Sequence, residues 1–220
     1  MSVFEKNYAK YYNLIYATKN YKQEADFVYK WANKPKIILE LGTGTGQHAK
    51  YWVDKVDTIY AIDCSQEMLN EAYKHPKIKY MCIPLQDLSP NILFNCVFSL
   101  FNVMGYTLLE YSLNKIPIKK NGIFIFDIWD ASKIKKYPPV IEVKHLGLAY
   151  RVAVPEQINK RLLRIDYIIV ENREVKVFER HFVQGYFKRD IKQLCKLHNY
   201  KIVNTKTTNN WMCWYKLQKV

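Results

Sequence analysis

The chain alternates between short apolar runs and stretches whose apolar residues recur at helical spacing. Helical spacing holds from about Phe4 to Trp31, with Ala25, Val28 and Tyr29 on one face, and Pro35 ends it. Residues 36–41, Lys-Ile-Ile-Leu-Glu-Leu, are almost continuously apolar, as a strand covered on both faces of a parallel sheet must be. A glycine-rich turn follows, and a helix is predicted from it to about Val53. Residues 58–63 read as a second buried strand, with Ser65 as the N-cap of a helix over 66–74. Strands are predicted again at 78–83, 96–100 and 123–126, the last entered through a turn at Asn121-Gly122. Strands alternating with helices give an α/β fold, a doubly wound and mostly parallel sheet.

Beyond Trp129 the pattern changes. Residues 142–154, 162–171 and 174–182 read as extended segments without helices between them, which predicts an antiparallel β insertion. A helix is expected over 188–198. The end of the chain, 200–203 and 211–217, reads as a hairpin around Thr207-Thr208-Asn209-Asn210. The expected organisation is an N-terminal helical segment and sheet over 1–130, the insertion over 131–185, and a closing helix and hairpin over 186–220.

Composition narrows the class. The 220 residues are 49% hydrophobic and 25% charged, enough for a folded core. No apolar run approaches the ~18 residues of a membrane span, and the first ten residues hold no apolar signal segment. Cys64, Cys82, Cys96, Cys195 and Cys213 form no C-x-x-C pair and no zinc-ligand spacing, so buried thiols in a cytoplasmic protein are expected. The net charge is +14, which suits a polyanion such as nucleic acid; yet the lysines are dispersed, with no run of five. A phosphorylated or nucleotide-linked small substrate uses the same charge.

The candidate chemistry lies in Glu40-Leu41-Gly42-Thr43-Gly44-Thr45-Gly46, between a predicted strand and helix. Glycines there let the backbone turn sharply and approach a ligand. Asp63 ends the next strand, where a carboxylate can accept hydrogen bonds from two ribose hydroxyls. A nucleoside-containing cofactor is therefore predicted. Gly44-Thr45-Gly46-Gln47-His48-Ala49 also fits the dinucleotide pattern G-x-G-x-x-A. Glu40 argues against a pyrophosphate, which it would repel, and for a ligand with a cationic amino group. The reversed hairpin at the end also argues against a dinucleotide fold.

These pieces together resemble class I S-adenosylmethionine-dependent methyltransferases. Residues 37–46 are similar to the first motif of that class, and Asp63-Cys64-Ser65 with Glu67-Met68-Leu69 to its D-x-S-x-x-M-L motif. Phe126-Asp127-Ile128-Trp129 resembles the end of its fifth strand, and the closing hairpin its reversed seventh strand. Nearer still are the amino-sugar N,N-dimethyltransferases and their small-molecule relatives. Tyr12-Asn13-Leu14-Ile15-Tyr16, Asn20-Tyr21 and Glu24-Ala25 resemble their N-terminal segment, Leu100-Phe101-Asn102-Val103-Met104-Gly105-Tyr106 their segment after strand four, and His181, Phe187 and Leu197-His198-Asn199-Tyr200 their closing segment.

The resemblance implies a seven-stranded Rossmann-like sheet, S-adenosyl-L-methionine as cofactor and a small-molecule acceptor. It implies that Gly42, Gly44 and Gly46 line the methionine end, Glu40 orients the amino group, and Asp63 holds the ribose. Cys64 and Met68 then pack on adenine, Tyr12, Tyr16 and Tyr21 close over the cofactor, and Leu100, Phe101 and Asn102 lie beside the sulfonium. The family's acidic residue after strand three falls at Pro84, so adenine is left to backbone groups near Leu85 or to a shifted Asp87. Met68 is equally a core residue by type. An oxygen acceptor needs a base; His181 and Asp127 are the candidates, with Tyr12 at the acceptor. An RNA or DNA methyltransferase is the alternative, although no D-P-P-Y or N-P-P-Y motif stands at residues 101–104. The insertion's exposed edges allow a homodimer.

Overall fold

The computed structural model describes residues 4, 6–88, 92–134, 140–208 and 211–220. The helical run predicted at the N-terminus is two helices, α1 (Lys6–Ile15) and α2 (Tyr21–Trp31). Asn20 divides them: its side chain accepts the Gln23 N–H at 2.9 Å and caps α2. β1 (Ile37–Leu41) follows, buried from its second residue on.

The helix expected after the glycine turn does not form. Residues 44–55 are linked turns around a short 3₁₀ segment, Ala49–Tyr51. Gly42, Gly44 and Gly46 all have positive φ, so the consecutive right-handed residues that nucleate an α-helix are missing at its start. β2 (Thr58–Asp63) leads into α3 (Gln66–Asn70), where Ser65 Oγ accepts the Met68 N–H at 3.2 Å as its N-cap. This helix is shorter than expected. β3 (Ile78–Cys82), β4 (Phe94–Ser99), α4 (Leu109–Lys115), β5 (Ile118–Trp129) and α5 (Ala131–Ile134) complete the first half.

Asn121-Gly122 is a bulge inside β5 rather than a turn before it. Pairing with β4 jumps from Phe94–Ile118 to Cys96–Ile123, which loops out the residues between, with Asn121 left-handed at φ 64°.

The insertion has four antiparallel strands where three segments were expected: β6 (Glu142–His145), β7 (Ala149–Gln157), β8 (Leu162–Glu171) and β9 (Glu174–Gln184). The first predicted segment folds back at Gly147, φ 78°. α6 (Lys188–Leu197) ends before left-handed Asn199, φ 58°, which takes the place of a C-terminal glycine. β10 (Tyr200–Thr207) and β11 (Met212–Lys219) form the closing hairpin; Asn209 and Asn210 of its expected turn lie outside the described residues.

The main sheet has seven strands in the order β10-β11-β5-β4-β1-β2-β3, and only β11 runs against its neighbours. One face is covered by α4 and α6, which bury Leu109, Leu113, Ile191 and Cys195 against Phe124, Phe126 and Val97. The other is covered by α2 and the turns after β1, where Ala25, Val28 and Trp52 meet Ile38, Ile59 and Phe98. A third cluster joins Tyr8 and Ile15 of α1 to the inner face of the insertion sheet.

The outer face of the insertion carries a cross-strand row, Val143–Val152–Ile168–Phe178, whose end residues are 63% and 58% exposed. Three cysteines are buried, but Cys64 and Cys82 are exposed, contrary to the expectation of buried thiols. They lie at the ends of β2 and β3, and β3 is the uncovered edge of the sheet. No helix among the described residues is long and apolar enough to cross a membrane.

Candidate active site

The chain leaves β1 toward β2 and β3 on one side and returns to β4 and β5 on the other. The strand order therefore reverses between β1 and β4, and ligands bind at the carboxyl ends of strands at such a point. Here those ends carry the glycine turn after β1, Asp63 on β2, Phe101-Asn102 after β4 and Asp127 on β5.

Asp63 is fixed by backbone donors: the Gly44 N–H bonds Oδ2 at 2.8 Å and the Ser65 N–H bonds Oδ1 at 2.9 Å. Each oxygen keeps a second lone pair for a ligand hydroxyl. Burial raises its pKa above the ordinary carboxylate value, against the pull of those N–H groups. The glycines have separate reasons. At Gly46, φ 69°, a Cβ would stand 2.2 Å from the Tyr80 hydroxyl, and at Gly42 it would collide with Val103. Gly44, by contrast, leaves only the Met68 Cε nearby, at 3.1 Å. Two of the three glycines thus answer to protein packing.

Glu40 is 1% exposed. Thr43 Oγ1 donates to it at 2.6 Å, and His48 Nδ1 lies 3.6 Å away. Burial holds His48 below its usual pKa, which favours its neutral form, and pushes Glu40 up to about 8. A buried carboxylate with no cationic partner among the described residues fits a ligand ammonium group. The other nitrogen of His48 bonds Glu24 at 2.9 Å, and Lys19 pairs with the same carboxylate. Burial works against Glu24, yet His48 and Lys19 hold its pKa below the usual value.

The N-terminal segment lies on this loop. Asn13 Oδ1 accepts from Thr45 Oγ1 at 2.7 Å and Gln47 Nε2 at 3.1 Å. The Tyr12 and Tyr16 rings meet tilted at 56° with centroids 4.8 Å apart, Tyr16 meets Phe101 edge-on at 4.8 Å, and Tyr21 meets His48 at 5.0 Å. Lys19 sits over the rings of both Tyr21 and Phe101. Phe101 and Asn102 are consecutive left-handed residues, φ 69° and 59°, a strained pair of the kind found at ligand sites. Asp127 holds them: its Oδ1 accepts the Asn102 N–H at 2.7 Å, while Asn102 Oδ1 accepts from the Trp129 N–H at 3.1 Å. Burial pushes Asp127 up to about 7.

A cavity of about 860 Å³ opens beside these groups. Tyr16 after α1 and Glu24 and Phe27 of α2 line it on one side, and Phe101 after β4 with Asp127 and Trp129 of β5 on another. Glu142, Lys144, Arg151 and Tyr167 line it from the insertion, and Lys206, Trp211 and Trp214 from the closing hairpin. A second cavity of about 360 Å³, around Ile37, Ile92 and Phe94, lies at the opposite strand ends and holds no catalytic group.

His181 is not at the cavity wall. It is fully buried, with Nδ1 3.2 Å from the Tyr106 hydroxyl and Nε2 2.8 Å from Glu179 Oε2, among the rings of Phe4, Tyr8 and Tyr167. Cys64 is exposed beside Asp63, and Met68 and Leu100 are buried. Leu85 opens a 3₁₀ turn, Leu85–Asp87, whose Asp87 is exposed. Asp130, also at the end of β5, is occupied by Ser132, whose N–H and hydroxyl donate to it at 3.0 and 2.6 Å.

Sequence reasoning passed over His48, Lys144, Arg151 and Lys206, whereas Asn102 stands in the segment expected beside the sulfonium. Arg151 had a signal: it stands in the inward phase of β7, between Ala149 and Ala153.

Comparison with known proteins agrees with this geometry. Residues 38–115, from β1 through α4, match a family profile described as a methyltransferase domain. No curated protein sequence matches the chain. Several solved structures share its fold. A S-adenosylmethionine-dependent methyltransferase from Clostridium acetobutylicum superposes with TM-score 0.78 at 21% identity, covering 95% of this chain and 96% of that one. DesVI from Streptomyces venezuelae gives 0.79 at 15% identity, covering 96% and 98%. CalS10, an amino pentose methyltransferase from Micromonospora echinaspora whose structure holds S-adenosylmethionine, gives 0.75 at 11% identity, covering 100% and 99%. Residues 38–115 thus match a methyltransferase domain, and the chain as a whole has a fold shared with solved S-adenosylmethionine-dependent methyltransferases.

Proposed function

We propose that the protein methylates a nitrogen or oxygen of a small molecule in the cytoplasm, with a nucleotide-linked amino sugar as the first acceptor to test. The observation that carries this reading is the pairing of buried Glu40 with backbone-fixed Asp63 at one end of the glycine turn and an aromatic cavity containing Asp127 at the other. An amino pentose methyltransferase and a sugar N-methyltransferase among the structures of like fold support the choice of acceptor.

In this reading Glu40 binds the cofactor's amino group, Gly42, Gly44 and Gly46 admit its methionine end, and Asp63 takes both ribose hydroxyls. Cys64, Met68 and the backbone at Leu85 flank adenine. Leu100 and Phe101 border the sulfur, and Tyr12, Tyr16 and Tyr21 form the cover. When bound, S-adenosylmethionine supplies an electrophilic methyl group on a sulfonium. The protein aligns the acceptor's lone pair behind that methyl, an effect worth up to ~7–11 kcal/mol. The acceptor's proton goes to Asp127, which is ionised above about pH 7. His181 has both nitrogens engaged, so its part is to hold Tyr106 rather than to move the proton. A second copy of the chain is the proposed cover of the Val143–Phe178 row.

The test is transfer of labelled methyl from S-adenosylmethionine to nucleotide-linked amino sugars, free amines and total tRNA. Label in a small acceptor supports the proposal. Label in tRNA alone replaces it with the nucleic-acid alternative that the +14 charge favours.

A further inference from the structure

We infer that Arg151, assisted by Lys144 and Lys206, is an oxyanion-binding subsite of the acceptor cavity, so that the methyl acceptor carries a carboxylate or phosphate group; this rests on the methyl-transfer reading of the same cavity. Arg151 lines the cavity yet is only 4% exposed. Its Nε–H has no acceptor among the described residues. Among the described residues one carboxylate reaches the guanidinium, Glu142 Oε1 to Nη2 at 2.8 Å from a side chain that is 59% exposed, and the guanidinium also donates a hydrogen bond to the Tyr167 hydroxyl. The Tyr167 ring lies on another side, its centroid 5.3 Å from Cζ.

A guanidinium offers five donors and no acceptor, and taking it out of water is unfavourable unless its fork is filled. A partially solvated carboxylate and the Tyr167 hydroxyl still leave the Nε edge open among the described residues. The group that fills such a fork with two parallel bonds is a carboxylate or a phosphate.

Charge in the cavity points the same way. Lys144 stands directly opposite Arg151 across β6 and β7, its ammonium donating one hydrogen bond to the Ile15 carbonyl and keeping two donors, and Lys206 reaches in over the Phe27 ring at 4.1 Å. Of the acids there, Glu24 is tied to His48 and Lys19, and Asp127 to the Asn102 N–H. Asp127 shares the cavity with Arg151, so the anionic group and the methylated atom fit one molecule.

The experiment is calorimetric titration of protein saturated with S-adenosylhomocysteine. The probes are inorganic phosphate and pyrophosphate in one arm, acetate and malonate in the other. At least one probe is expected to bind, and the better arm identifies the oxyanion. Arg151→Lys should weaken that binding at least about tenfold, because it keeps the charge and loses the fork. Glu142→Gln should strengthen it severalfold by removing the competing carboxylate. Because Glu142 is exposed, this second variant carries the test even if the first folds poorly. Affinity for S-adenosylhomocysteine should be unchanged in both. No binding of any probe to the loaded protein, or binding indifferent to Glu142→Gln, overturns the inference. Failure to bind S-adenosylhomocysteine at all, seen before any anion is added, overturns the methyl-transfer reading beneath it.

Discussion

Replacing Glu40 with Gln should make the free protein more stable and its cofactor weaker to bind. Burial raises this carboxyl from an ordinary 4.5 to about 8. Between those values the folded protein keeps a proton that the unfolded chain releases, so stability falls as pH rises across that window. At 1.36 kcal/mol per tenfold change in proton affinity, the ceiling at pH 8 is about 4–5 kcal/mol. Glutamine keeps the shape and can still accept from Thr43 Oγ1, now 2.6 Å away, without the charge. The variant should gain roughly 1–4 kcal/mol at pH 8, a rise of several degrees in Tm, and the gain should vanish near pH 4. Binding should move the other way. A charge-assisted hydrogen bond to the cofactor's amino group is worth about 1.5–3 kcal/mol, so S-adenosylhomocysteine should bind roughly 10–100-fold more weakly. The wild type should also release a proton on binding at pH 7, read as a dependence of calorimetric enthalpy on the buffer. Thermal unfolding from pH 5 to 8.5 and titration calorimetry supply both numbers. A variant less stable than wild type at pH 8, or one binding the cofactor product as tightly, refutes this role for Glu40.

Three further substitutions separate the parts of the site. Gly46→Ala should cost about 2–3 kcal/mol and lower Tm by roughly 5–10 °C, since it combines left-handed strain with displacement of the Tyr80 hydroxyl from the Tyr73 carbonyl at 2.7 Å; an unchanged melting curve contradicts the packing account. Asp63→Asn sets an amide N–H₂ against one of two backbone N–H groups, and a loss of roughly tenfold or more in S-adenosylhomocysteine affinity is expected by calorimetry. Asp127→Asn keeps an oxygen for the Asn102 N–H but removes the base. For an oxygen acceptor kcat should fall about 10²–10⁴-fold with cofactor affinity unchanged, and the wild-type rate should rise as pH increases through about 7. A rate flat across that range removes Asp127 from proton transfer.

The parallel core was legible because its strands are largely buried on both faces and read as nearly continuous apolar runs. Residues 37–41 and 58–63 differ from their surroundings on that ground alone. Ser65 and Asn199 were legible through side chains suited to helix ends. What failed depends on φ. A glycine turn with three left-handed residues looks the same in sequence whether or not a helix follows, and here turns follow. Asn121-Gly122 has turn chemistry, yet pairing with β4 and β11 on either side draws it into a strand as a bulge. The nucleoside end of the site, Glu40 and Asp63, was readable from position at strand ends. The acceptor cavity was not, because its walls come from the N-terminal helices, the insertion and the closing hairpin, far apart in sequence. His181 drew attention as a titratable residue in an extended segment, and only packing revealed that its ring is enclosed by other aromatic groups.

The most direct test of the account is calorimetric titration of the purified protein with S-adenosylmethionine, S-adenosylhomocysteine and NADH. The turn after β1 offers no α-helix terminus to a pyrophosphate and sets buried Glu40 beside the ligand, so both sulfur compounds should bind at one per chain and NADH should not. Binding of NADH alone, or of none of the three, contradicts it.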